Sequence, residues 1–105
     1  MPEAYGIAHL TVDDPDASEA CRQANGPALA RYGGRFIVRG EPQEVVEGRM
    51  RPRSVLIEFA SRADADACYR SPGYHAALAL RRPVSSADLV IVDGWDDPGT
   101  SGRSP

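Results

Sequence analysis

Two periodicities alternate along this chain in the order strand, helix, strand, strand, helix, strand, and that order restricts its fold more than any single motif. Residues 4–12, AYGIAHLTV, put Tyr5, Ile7, His9 and Thr11 on one face of a strand and Ala4, Gly6, Ala8, Leu10 and Val12 on the other. In the following DDPDASEACRQAN, Asp14 is a natural N-cap and Pro15 suits the first helical position, with Asp16 and Glu19 near the positive end of the dipole. Pro27 lacks an N–H and disfavours helical geometry at Gly26, so a kink or break is expected at Asn25-Gly26-Pro27, with a second helical piece to about Tyr32.

The arginine- and glycine-rich stretch RYGGRFIVRG, residues 31–40, invites reading as a phosphate loop. Such a loop needs its glycines between a strand and a helix N-terminus, where free N–H groups and the dipole favour an anion. Here the order is reversed: Gly33-Gly34 ends a helix, and Arg35–Arg39 is a strand with Phe36 and Val38 on one face and Arg35, Ile37 and Arg39 on the other. Residues 40–53 are a polar excursion, with a short strand considered at Val45-Val46. SVLIEFA, residues 54–60, is the clearest strand. Ser61 then caps a helix with Asp64 as its partner, SPG at 71–73 interrupts it, and YHAALALRR resumes it with Ala76, Ala77 and Leu80 as the buried side. ADLVIVDGW, residues 87–95, is the last strand.

The pattern β-α-β-β-α-β is that of an α+β, ferredoxin-like domain, an antiparallel sheet with its helices on one face. The other sheet face also carries aliphatic residues and needs a cover, so a homodimer through the sheet faces is expected. One domain over residues 1–97 with a flexible tail at 98–105 accounts for the whole chain of 105 residues.

Composition removes several function classes. Fifteen acids against twelve bases give a net charge of −3, with no basic field for nucleic acid or an anionic membrane. All twelve bases are arginine, so no lysine is available for a Schiff base. No segment approaches a membrane span, and the start has neither the basic nor the apolar part of an export signal, so a cytoplasmic location is expected. In that compartment Cys21 and Cys68 read as small buried apolar residues. No His or Cys pair has ligand spacing, so neither a metal nor a cofactor is expected.

The runs YGIAHLTVDDPDA, ARYGGRFIVRG, VVEGRMRPRSVLIEF, SPGYHAALALR and ADLVIVDG together resemble the family called domain of unknown function 1330, from about Tyr5 to Gly94. The resemblance implies the dimeric α/β-barrel superfamily, whose members include cofactor-independent monooxygenases, muconolactone isomerases, haem-binding chlorite dismutases and polyketide cyclases. It covers His9, Asn25, Gly33-Gly34, Arg39, Glu58, Ser71 and Tyr74. Gly6, Ser18 and Cys21 stand where relatives tend to have bulky aromatics, which implies an enlarged or reshaped pocket.

The residues themselves suggest a division of labour. His9 is a candidate general base, imidazole being the side-chain type suited to proton transfer near neutral pH, and Glu58, read on a parallel neighbouring strand at a comparable level, is a candidate to orient it or to pair with an arginine. Arg39, and with less weight Arg35, offers a fork of donors to a carboxylate or enolate inside a dimer cavity. Asn25, Tyr69, Ser71 and Tyr74 complete the candidate ligand-binding set, with a local role for Asn25 at the helix kink as the plainer alternative. These roles fit a cofactor-independent cyclase, isomerase or lyase acting on a small molecule. A non-catalytic dimeric binding module and a cofactor-free monooxygenase are the other two readings.

Overall fold

The computed structural model describes residues 3–95, with the backbone alone for residues 15–22. Its elements are β1 (Ala4–Val12), α1 (Pro15–Arg31), β2 (Arg35–Arg39), β3 (Arg53–Phe59), α2 (Arg62–Tyr69), α3 (Pro72–Arg81) and β4 (Ser85–Asp93). The sheet has four strands in the order β2-β3-β1-β4, and every neighbouring pair is antiparallel. This is the ferredoxin-like arrangement that the alternation of periods implies.

Local chemistry sets the element ends. Gly33 takes the left-handed conformation, φ +78°, that ends α1. At Gly34 a Cβ would stand 2.8 Å from the Phe59 ring, so only glycine lets the turn pass over the core. Ser61 caps α2 by accepting from the Asp64 N–H at 3.1 Å, and Ser71 caps α3 by accepting from the Tyr74 N–H at 3.2 Å. Pro72 occupies the first turn of α3, where its missing N–H costs nothing.

The core lies between the sheet and the helices. Ala4, Ile57 and Phe59 from the strands meet Leu29 of α1 and Ala65 and Cys68 of α2, with Phe36, Val55 and Ile91 packed against them. The opposite sheet face is uncovered in the protomer: Val90 and Val92 are 53% and 43% exposed.

Several expectations from the sequence need correction. Helix α1 runs unbroken through Pro27: one backbone hydrogen bond is lost, but the buried Leu29 holds the last turns to the core and the space beside Gly26 is empty. Val45 and Val46 form no strand and are exposed, because neither has a pairing partner or a sheet face to cover. The inward stripe of α3 is Tyr74, Ala77 and half-buried Leu78 and Arg81, whereas Leu80 is 49% exposed and Ala76 exposed. The expected tail at residues 98–105 lies outside the described residues.

Candidate functional site

The register of β2 decides which arginine faces what. Arg35 pairs with Glu58 and Phe36 with Ile57, but Val38 then pairs with Leu56 and Arg39 with Val55, so Ile37 is an extra residue at a bulge. After that one-residue slip Arg39 lies on the same side as Phe36, its guanidinium carbon 4.0 Å from the ring centroid. His9, from the Tyr5–Thr11 set, projects from the opposite face. The expectation that Arg39 and His9 share a dimer cavity is therefore overturned by a bulge that strict alternation conceals.

His9 and Glu58 do share a face, yet they are not neighbours. Because β1 and β3 are antiparallel rather than parallel, His9 sits opposite Ser54 while Glu58 sits opposite Tyr5, four residues or about 13 Å along the strand. His9 Nδ1 is 3.1 Å from Ser54 Oγ, and that hydroxyl donates to Gln43 Oε1. Glu58 accepts from Arg35 Nε at 2.8 Å and from the Tyr5 hydroxyl at 3.4 Å. Near His9, Arg51 donates to Asp88 at 3.0 Å and to Thr11 at 3.3 Å beside an open depression of about 470 Å³.

The helix side of the sheet holds a different constellation. Asn25, Tyr69, Tyr74 and Arg81 line a cavity of about 60 Å³ whose floor is Ala8, Leu10, Ala87 and Leu89. Helix α2 lies on the strands, whereas α3 packs chiefly on α1, and the small side chains Ala8 and Ala87 leave the gap beneath it unfilled. Tyr69 meets Tyr74 edge to face at 4.8 Å between centroids and Phe59 at 5.7 Å. Its hydroxyl reaches the sheet at Gly6, where any Cβ would collide with it.

Two buried polar atoms of residues that line this cavity, Asn25 Oδ1 and the Tyr69 hydroxyl, have no hydrogen-bond partner among the described residues. Leaving such atoms unsatisfied is expensive, and native proteins keep few of them. Burial, reinforced by neighbouring Tyr74 and Cys68, pushes the Tyr69 phenol well above its ordinary range, so it stays protonated and able to donate.

The remaining candidates serve the frame. Ser71 caps α3, donates to the Cys68 carbonyl at 2.6 Å and lies at a separate groove between α1 and α3. Arg35, its side chain 70% exposed, is engaged with Glu58 on the open face. Among the described residues no cluster of His, Cys, Asp and Glu has the makings of a metal site, and no helix is long and apolar enough to cross a membrane.

The family model described as domain of unknown function (DUF1330) matches residues 3–95. The chain belongs to the DUF1330 family. No curated protein matches it. Among solved structures, a protein of unknown function from Rhodopseudomonas palustris is similar at 18% identity and TM-score 0.70, over 91% of this chain and 85% of that one. A dimeric ferredoxin-like protein of unknown function from Jannaschia sp. CCS1 is similar at 17% identity and TM-score 0.66, over 86% and 97%. SnoaB, a cofactor-independent oxygenase from Streptomyces nogalater, is similar at 16% identity and TM-score 0.62, over 95% and 100%. These likenesses establish the ferredoxin-like fold.

In this DUF1330 chain the residue that sequence reasoning missed is Arg81. Its signal was present: Tyr74, Ala77, Leu78 and Arg81 follow the i, i+3, i+4, i+7 spacing of one helix face, so an arginine holds a core-facing position. A stripe phased on Leu80 instead places Arg81 outside the buried face.

Proposed function

We propose that this DUF1330 chain binds a small organic molecule between its sheet and its helices, and that it does so as a homodimer closed over the open sheet faces. The observation that carries the first part is the pair of unpartnered buried atoms, Asn25 Oδ1 and the Tyr69 hydroxyl, on two residues that line one apolar-walled cavity. An apolar hollow with a few convergent polar groups is the usual form of a ligand site. The second part draws on the exposed Val90 and Val92, and on the neighbour from Jannaschia sp. CCS1 that is described as dimeric.

The chemistry available there needs no cofactor. A phenol held protonated by burial donates to a carbonyl oxygen and stabilises negative charge as it develops, which lowers the cost of forming an enolate from a substrate whose own basic group takes the α-proton. Enolate formation opens cyclisation, isomerisation and elimination alike. It is also a route into oxygenation without a cofactor, and one neighbour of this fold, SnoaB, is a cofactor-independent oxygenase. The reading of His9 as base with Arg39 as anchor is set aside, since the two project from opposite faces of the sheet.

A non-catalytic binding module is the second reading, favoured by one specific feature: neither a carboxylate nor an imidazole lines the cavity among the described residues. Both readings require occupancy, so the deciding experiment titrates the ¹⁵N-labelled protein with 4-hydroxybenzaldehyde. Saturable amide shifts at Tyr69, Tyr74 and Leu89, abolished in Asn25→Leu, support the site. Shifts confined to the Arg49–Pro52 segment would sink it.

A further inference from the structure

The cavity is polar at its ends and apolar between them. Tyr74 and Arg81 lie on the same face of α3 two turns apart, about 10 Å along its axis. Tyr69 meets Tyr74 edge to face with its hydroxyl over Gly6, near the start of β1, while Leu10 belongs to the part of β1 nearer the end of α3, where the Asp13 N–H donates to the Val84 carbonyl. Tyr69 and Tyr74 thus mark one end and Arg81 the other, with Ala8, Ala87 and Leu89 in the floor.

Arg81 differs from the arginines that have partners among the described residues, and also from Arg31 and Arg49, which line surface depressions but are exposed. Arg35 pairs with Glu58, Arg51 with Asp88, and Arg62 with Asp66 and Asp93. Arg39 lies over Phe36. Arg81 is half-buried, and none of the described residues supplies it with a carboxylate or a side-chain acceptor. A half-buried arginine that lines an apolar cavity and has no counter-charge among the described residues gains a strong partner when an anion enters that cavity.

From this we infer that the ligand is a small monocarboxylate with an apolar body and an oxygen function at its far end, the carboxylate held by Arg81 and the distal oxygen by Tyr69 and Asn25. The inference rests on the proposed cavity site and adds the charge and the polarity order of what fills it. A hydroxy acid meets both unpartnered atoms at once, its hydroxyl donating to Asn25 Oδ1 and accepting from the Tyr69 hydroxyl. At about 60 Å³ the cavity takes only part of such a molecule, since benzene needs roughly 150 Å³. Entry of a ring therefore widens the gap beneath α3, whose main support is α1 and not the sheet.

The test compares two probes of matched shape, 4-hydroxybenzoate and 4-hydroxybenzamide, by titration of ¹⁵N-labelled wild type, Arg81→Gln, Arg81→Lys and Tyr69→Phe. The expected result is at least a tenfold preference for the acid, reduced to within twofold in Arg81→Gln and partly kept in Arg81→Lys, which retains the charge but not the fork. Tyr69→Phe should weaken both probes alike. Equal binding of acid and amide to the wild-type cavity would overturn the inference while leaving the cavity site intact. If neither probe moves the Tyr69, Tyr74 or Arg81 amides, the site and the inference fall together. An acid preference undiminished in a folded Arg81→Gln would also overturn the inference, and shifts at Arg49–Pro52 would then identify the open face as the anion site.

Discussion

The Tyr69 hydroxyl stands in the space that a Cβ on Gly6 would fill, so the glycine in β1 and the phenol at the end of α2 are one steric unit. A side chain at position 6 expels the phenol from its place against Phe59 and Tyr74, in a core where an added methyl typically costs about 1–3 kcal/mol. Gly6→Ala is expected to lower Tm by several degrees in a calorimetric scan and to abolish probe binding. Tyr69→Phe is expected to move the other way, raising stability by up to about 1 kcal/mol, because it deletes a buried hydroxyl that lacks a partner. A loss of stability in Tyr69→Phe would mean that the hydroxyl is satisfied in the folded protein and has no vacancy for a ligand.

That unit also shows how far the sequence could be read. Period-2 alternation put His9 and Gly6 on opposite faces of β1, as the register has them, but it does not say which of those faces the helices cover. Alternation failed in β2, where the bulge at Ile37 turns Arg39 to the helix side. Nothing in RFIVR marks a bulge, since no glycine or proline interrupts it. Asn25, Tyr69 and Tyr74 line one cavity, whose lining includes Arg81 and neither His9 nor Arg39, the two residues with which the sequence reading groups them. Joining them depended on the relative seating of α1, α3 and the sheet, which is tertiary information.

The open sheet face provides a test of assembly. Ile7 and Val90 are paired across β1 and β4, with Leu56 beside them on β3, so an aspartate at Val90 puts a charge in the middle of an aliphatic surface. Val90→Asp is expected to yield a monomer by sedimentation velocity at concentrations where the wild type is a dimer. Its far-UV circular dichroism should be unchanged, since Val90 is 53% exposed in the protomer. An unaltered sedimentation coefficient would show that this face is not the contact.

His9 and Glu58 are separated from the cavity by the sheet itself, so their removal should leave ligand binding alone. His9→Ala breaks the link through Ser54 to Gln43 that ties the 40–52 segment to the strands, a loss of about 0.5–1.5 kcal/mol for one hydrogen bond. Glu58→Gln weakens a pair whose arginine is 70% exposed, and such pairs contribute about 1 kcal/mol or less. Both variants are expected to bind 4-hydroxybenzaldehyde within twofold of wild type. A tenfold loss in His9→Ala would move the functional site to the open face.

Cys68 makes stability depend on alkaline pH in a direction that can be worked out. Burial against Ala4 and Phe59 pushes its thiol up from 9.0 to about 11, so the folded state keeps its proton after the unfolded chain has lost one. With fewer protons bound in the unfolded state, the contribution is complete below pH 9 and declines as pH rises toward about 11. The raised Tyr69 phenol acts in the same sense at higher pH. Urea midpoints measured from pH 8 to pH 11 should fall, and Cys68→Ala, less stable at neutral pH, should show a shallower fall because its thiol no longer titrates. In a Cys21→Ser background the native protein should resist iodoacetamide at pH 8 and react only on unfolding, because the thiolate is scarce and the sulfur fully buried. Rapid alkylation of the native state would place Cys68 in an accessible, low-pKa setting and remove the thiol as the source of the alkaline decline.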